Sequence, residues 1–211
     1  MNIVVKKFGG TSVATPESRE RILEKVSEAI NKGVSPVLVV SAMGRFPQPY
    51  ATDSLLGLVS EYSEFHCKRE LDMAMAVGET LSTVLLSHFL RSRGFAAEAF
   101  DAYRAGIRAS DLHGDGAILQ IHPEEILACV RRGAIPVIAG FQGINSLLEI
   151  TTLGRGGSDT SAVAIGAALR AQVVEIYTDV DGVMTADPRV FDQAAFLNQI
   201  QFEEMSELAG E

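Results

Sequence analysis

Apolar and polar positions along the 211-residue chain fall into two kinds of run. Ile3 to Phe8, Pro36 to Ser41, Ile135 to Ala139 and Val173 to Tyr177 are short and almost wholly apolar, the pattern of strands buried on both faces. Between them lie stretches with helical spacing. Thr15, Pro16 and Glu17 supply an N-cap, a proline at the first helical position and early negative charge. The helix they open places Ile22, Leu23, Val26 and Ile30 on one stripe and ends at Gly33. Further helices are predicted over Asp53 to Tyr62, Leu71 to Arg93, Pro123 to Arg132 and Ser158 to Arg170, and Phe202, Met205 and Leu208 begin a last one. Gly9 to Ser12 reads as a tight loop and Ala42 to Ala51 as a Pro/Gly loop; Ala96 to Ile121 is less regular, with a strand-like piece at Ala117 to Ile121. Strand, loop and helix in repetition predict an α/β fold, a three-layer sandwich with a mostly parallel central sheet. One domain is expected over residues 1–211.

Composition narrows the function classes. Hydrophobic residues make up 47% and charged residues 21%, so a packed core is expected. The chain carries 27 acidic against 18 basic residues, a formal net charge of −9, which argues against nucleic acid as the main partner. Ala162 to Leu169 is too short to span a bilayer, and the N-terminal charges follow the apolar residues rather than precede them. The expectation is a soluble cytoplasmic protein with no membrane partner. Cys67 and Cys129 lack the spacing of a disulfide scaffold or a zinc knuckle.

Four segments could carry chemistry. In Lys7-Phe8-Gly9-Gly10-Thr11-Ser12, glycines at a strand end let backbone N–H groups approach an anion beside a lysine. The alternative is a plain turn with a solvated lysine, and the P-loop spacing G-x-x-x-x-G-K-S/T occurs nowhere in the chain. Thr151 to Ser161 fails the dinucleotide fingerprint because Asp159 stands at the third glycine position. What remains is a flexible loop that sets Arg155, which can grip a carboxylate, beside a helix start that Ser158 or Asp159 would cap. Tyr177 to Arg189 follows a strand, where ligands of open α/β sheets bind, although composition alone reads as a surface loop. Glu79 lies in an apolar helical context with Met75, Ala76 and Leu81, so it either faces a cation or sits on the helix surface. The four histidines have no ligand spacing and are read as structural.

Together these segments resemble the catalytic domain of the aspartate kinases, a branch of the amino acid kinase family. The resemblance rests on seven motifs in order: Lys7 to Val13, Val39 to Gly44, Tyr50 to Asp53, Val77 to Glu79, Ala139 to Gly143, Gly154 to Asp159, and Thr178-Asp179 through Asp187-Pro188-Arg189. It implies the amino acid kinase fold, with ATP and Mg²⁺ as cofactors and L-aspartate as substrate. The reaction implied is transfer of the γ-phosphoryl group to the β-carboxylate, giving 4-phospho-L-aspartate at the head of lysine, threonine and methionine biosynthesis. Carried over by motif, Lys7 and Asp159 are catalytic: Lys7 neutralises the transferring group, while Ser158 and Asp159 orient Lys7 and Arg155. Arg155 takes the substrate α-carboxylate, Glu79 the α-ammonium, and Thr52 lies against the same molecule. Gly9, Gly10 and Ser41 hold phosphate oxygens, and Thr178, Asp179, Met184 and Arg189 fall in the nucleotide stretch. No residue is assigned as a metal ligand, and homo-oligomer formation is left open.

Two departures accompany the resemblance. Asp101 to Gly106 differs from the family's small-residue and glutamine stretch. The family also continues past Ser206 to Ala209 into a Gly-Ala-Lys segment, so the expectation is a catalytic domain incomplete at its C-terminus, without the ACT regulatory domains. The alternatives are a fragment that binds ligands or a partner subunit with little or no turnover, and a relative acting on glutamate, acetylglutamate or uridylate.

Overall fold

The structure, a computed structural model, describes residues 1–62, 67–178, 182–186 and 190–209. The described chain forms two compact units, residues 1–177 and 178–211. In the first, strands β1 (Ile3–Phe8), β2 (Ser35–Val40), β3 (Ala97–Phe100), β6 (Ile135–Ala139) and β9 (Val173–Tyr177) form a sheet of order β3-β6-β2-β1-β9. Every pairing in it is parallel. All five carboxyl ends therefore lie along one edge, where open α/β sheets bind ligands.

Alternation along the strands divides the core in two. Ile3, Val5, Val37, Val39 and Ile138 face helices α5 (Glu124–Arg131) and α6 (Gly157–Leu169), against Ile126, Cys129, Ala162 and Ile165. Phe8, Leu38, Val40 and Val137 face α2 (Pro16–Asn31) and α4 (Lys68–Ser92), against Ile22, Val26, Leu86 and Leu90. That is the expected three-layer sandwich. The Thr15 cap also forms, its hydroxyl accepting the Ser18 N–H at 3.1 Å.

Several local expectations are corrected. Gly9 to Ser12 is not a loop, because Gly10–Ala14 coils into a short helix, α1, which buries Val13. Ile30 is 40% exposed and Ala29 takes its place on the buried stripe of α2. At β9, Val173 and Ile176 are 47% and 44% exposed, since β9 pairs on one side only among the described residues and is an edge strand. Helix α6 is not capped by Ser158 or Asp159; Gly156, in the left-handed region, precedes it, and both residues sit in its first turn. A second sheet of order β5-β4-β7-β8 has no counterpart in the sequence reading beyond its strand β5 (Ile118–Ile121). Strands β4 (Ile107–Ala109), β7 (Gln142–Ile144) and β8 (Ile150–Thr152) have three residues each, too few to show a period.

Helix α3 (Thr52–Ser60) follows the Pro/Gly loop. Helix α4 is long and apolar enough to cross a bilayer by length and composition, yet its buried face carries Asp72, Glu79, Ser82 and Thr83 beside Leu86 and Leu90. In the second unit, Thr185 N–H donates to the Ala195 carbonyl and Leu197 N–H to the Val183 carbonyl, both at 2.9 Å, and α7 spans Phe202–Ala209.

The end of β6 meets the start of α6 at Gly140. A Cβ there would lie 2.9 Å from Ser158 Cβ and 3.0 Å from Ser158 Cα, neither of which can move without moving the helix. Gly140→Ala is therefore expected to lower stability by about 1–3 kcal/mol, the usual cost of overpacking. A urea denaturation midpoint equal to that of the parent chain would contradict this packing.

Candidate active site

Near the end of strand β1, Lys7 lies on the face turned toward α6. The residue is 8% exposed, and its ammonium stands 2.7 Å from Asp159 Oδ1 in the first turn of that helix. A lysine so buried requires a counter-charge. An acid in the first turn also suits the positive end of the α6 dipole. The solvated-lysine alternative is thereby removed.

Gly9 and Gly10 serve different ends. A Cβ on Gly9 would lie 4.0 Å from the Lys7 ammonium, so glycine leaves open space beside the charge, while its N–H donates to the Tyr177 carbonyl at 3.3 Å. Gly10 packs on the loop after β2, where a Cβ would fall 2.4 Å from the Ala42 carbonyl oxygen. Ser41 begins that loop, and the next residue, Ala42, donates its N–H to Glu79 Oε1 at 3.0 Å.

Glu79 is the most unusual group here. It projects from α4, is 2% exposed, and its second carboxylate oxygen, Oε2, has no hydrogen-bond partner. Burial pushes its pKa up to about 7, against which the Ala42 N–H acts as the main opposing influence. Of the two readings left open by the sequence, the helix-surface one is excluded.

One cavity of about 260 Å³ joins these groups. Its lining includes Lys7, Ser41, Thr52, Glu79, Arg155, Ser158 and Asp159, seven of the residues singled out by sequence, drawn from β1, the β2 loop, α3, α4, the loop into α6 and the first turn of α6. Arg155 is exposed and makes no ion pair among the described residues. Gly9 and Gly10 adjoin Lys7 but do not line the cavity. Thr178 and Met184 belong to the second unit, and Asp179 and Arg189 lie outside the described residues.

Phe141 also lines the cavity and had no role in the sequence reading. It has φ 67°, rare for a bulky side chain, and its N–H donates to Ser161 Oγ at 3.1 Å. The available signal was its place between Gly140 and Gln142, in a motif quoted without a function. Chemically, the cavity offers a buried ammonium with its counter-ion, an unpaired carboxylate and a free guanidinium. Such a set fits a small molecule bearing charges of both signs.

The amino acid kinase family profile matches residues 2–211. The chain is 45% identical, over 99% of its length, to an aspartokinase of Geobacillus stearothermophilus, of which it covers 50%. Among solved structures, it superposes on an aspartate kinase from Synechocystis with a TM-score of 0.82 at 43% identity, covering 98% of this chain and 33% of that one. An E. coli aspartokinase III in complex with aspartate and ADP gives 0.83 at 28% identity, covering 99% and 56%. The chain thus spans about half the length of the curated relatives it matches. Shared motifs, shared fold and a match across nearly every residue agree, and the chain belongs to the amino acid kinase family.

Proposed function

We propose that this chain is the catalytic part of an aspartate kinase, passing the γ-phosphoryl group of ATP to the β-carboxylate of L-aspartate and forming 4-phospho-L-aspartate. Its setting would be the cytoplasm, at the first step of lysine, threonine and methionine biosynthesis. The observation that carries the reading is the convergence of Glu79, with one unpaired buried oxygen, and Arg155 on a cavity that also holds Lys7. An α-amino acid presents one ammonium and one carboxylate at its α-carbon, and these two side chains are complementary to them. The relatives named above support the choice of aspartate.

The β-carboxylate needs no general base, because a free carboxylate is ionised at neutral pH. Catalysis then consists of bringing an anion to a polyanion, through positioning and charge neutralisation. Lys7 would meet the charge on the transferring group, with Asp159 fixing its ammonium and Ser158 beside it. Arg155 would take the α-carboxylate as a bidentate pair, Glu79 the ammonium, and Thr52 the remaining substrate surface. Gly10 and Ser41 would hold phosphate oxygens in the open space that Gly9 leaves beside Lys7, the Gly9 N–H being taken by the Tyr177 carbonyl, and Thr178, Asp179, Met184 and Arg189 would hold the nucleotide. Mg²⁺ accompanying the nucleotide would supply neutralisation of the charge that develops on the phosphates.

A hydroxamate assay on the 211-residue chain, with aspartate and glutamate compared, tests the assignment, and product from aspartate is expected. Turnover of glutamate alone would sink it. Calorimetry with ATP and aspartate run alongside would identify a binding module if both bind and no product forms.

Lys7→Ala is expected to lower kcat by about 10²–10³, the usual loss on removing a group that stabilises transition-state charge. The variant should stay folded with a lowered denaturation midpoint, because the buried Asp159 Oδ1 loses its ammonium partner while the rest of that side chain keeps water. Near-normal kcat in the folded variant would refute the role given to Lys7.

The raised pKa of Glu79 makes a further prediction. Between pH of about 4.5 and 7 the folded state binds more protons at this site than the unfolded state, so its contribution to stability falls as pH rises. Above that window the cost of the buried charge is on the order of 3 kcal/mol. Glu79→Gln should therefore be more stable than the parent at pH 8, and much less so at pH 4.5, in paired denaturation series. In the parent, an incoming ammonium would ionise Glu79, so aspartate binding near pH 6.5 should release a proton. Calorimetry in buffers of different ionisation enthalpy measures that release, and a value of zero there would contradict the pairing.

A further inference from the structure

Helix α4 carries a second buried carboxylate. Asp72 is fully buried about two turns before Glu79, on the same helix face. Where Glu79 keeps an oxygen unpaired, Asp72 is saturated. Its Oδ1 accepts the Thr152 hydroxyl, and its Oδ2 accepts His113 Nδ1 at 2.8 Å and the Gly114 N–H at 3.1 Å. The other imidazole nitrogen, Nε2, faces Glu149 at 3.2 Å. Glu149 also accepts from Arg69 at 3.3 Å, and Arg69 pairs with Glu70.

Each tied segment leads to the glycine-rich loop at the cavity. Thr152 is the last residue of β8, and Leu153, Gly154 and Arg155 follow it directly. The Gly116 N–H donates to the Thr152 carbonyl at 2.7 Å. A Cβ on Gly154 would lie 2.8 Å from Asp115 Oδ1, so the 113–116 segment lies against the loop itself. Neither Asp72 nor His113 lines the cavity.

We propose that Asp72 and His113 form a clasp that positions the Leu153–Gly156 loop, and with it Arg155, for the carboxylate end of the substrate. This rests on the reading of Arg155 and Glu79 as the two ends of an amino-acid site. Asp72 and His113 are positioning residues, acting on the substrate through Thr152 and the loop that follows it.

The state of the clasp depends on His113. Burial disfavours its charge, but the hydrogen bonds to Asp72 and Glu149 outweigh burial and raise its pKa above the usual value. The groups around it are Asp72 from α4, Glu149 from the β7–β8 turn with Arg69 and Glu70 behind it, and Asp111 from its own segment. The imidazolium donates from both nitrogens. Neutral imidazole keeps the Nδ1 proton for Asp72 and turns a lone pair toward Glu149. The contribution from charge is therefore complete below a pH of about 6.5 and is lost as pH rises through the raised value.

Hydrogen–deuterium exchange on the 211-residue chain tests the clasp, read as the exchange of residues 152–157 relative to helix α2. In the parent, that ratio should rise between pH 6 and 8. His113→Ala should raise it at pH 6 by about ten-fold, the expected effect of losing a charged hydrogen bond. His113→Asn, whose side-chain amide can still donate to Asp72, should restore most of the protection and remove the pH dependence. In calorimetry, His113→Ala should weaken aspartate binding several-fold and leave ATP affinity unchanged. A loop ratio within two-fold of the parent in His113→Ala, or a parent ratio flat with pH, overturns the clasp. Loop loosening in a chain whose parent form binds no aspartate would uphold the clasp and defeat the reading of the substrate.

Discussion

The structure around the cavity depends on one ion pair. The penultimate residue of strand β1 is a lysine directed into the layer between the sheet and α6, where an ammonium without a partner would cost several kcal/mol. Asp159 meets it from the first turn of α6, the place on a helix where an acid is most favourable. The pair fixes more than two side chains, because it ties the carboxyl end of the sheet to the start of α6. The close approach of Gly140 to Ser158 then follows, as does the path of the loop between β8 and α6. Arg155 is delivered to the cavity by that loop, so the substrate end and the phosphoryl end of the proposed reaction share one mechanical base.

The layered fold was legible because its strands are buried on both faces. Ile135 to Ala139 has no polar position to blur its assignment, Ile3 to Phe8 opens on three apolar residues before its two lysines, and Thr15-Pro16 marks a helix start by a local mechanism. The same logic failed at Val173 to Tyr177, whose composition matches a central strand but whose position is an edge. Nothing local records how many neighbours a strand will have. Strands β4, β7 and β8 of the second sheet were missed for a different reason. With three residues each they are too short to establish an alternation, and their pairing across the segment from 107 to 152 is a tertiary event.

The cavity was legible residue by residue through motifs, and only partly through chemistry. Elementary rules found Lys7 beside glycines, and an arginine in a flexible loop, but left Glu79 undecided between a cation and the helix surface. Its burial depends on which side of α4 faces the sheet, and that is set by Leu86 and Leu90 further along the helix. Asp72 shares the buried side and was not singled out, since its partners His113 and Thr152 come from distant segments of the chain. The two carboxylates illustrate a division of labour within one helix face. Hydrogen bonds saturate the one that holds structure, whereas the one at the cavity stays incompletely paired and is perturbed by burial for that reason.

Charge balance at the cavity then bears on what can occupy it. With every group ionised, Lys7 and Arg155 offset Glu79 and Asp159, so an acidic protein presents a locally neutral site. With Glu79 protonated, the empty site is positive by one unit, which suits an anion on approach. On the proposed reading aspartate arrives with two carboxylates and one ammonium, and the ammonium replaces the proton that Glu79 gives up. A dicarboxylate lacking the ammonium would leave that proton in place and gain no ion pair at α4. Discrimination for an amino acid thus follows from burial of Glu79 as well as from its charge, because an exposed glutamate would already be ionised and hydrated. The same balance leaves aspartate's remaining negative charge unmatched when triphosphate approaches. Lys7 alone is a small counterweight to that repulsion, and on the proposed reading a divalent ion brought with the phosphates would supply the missing positive charge.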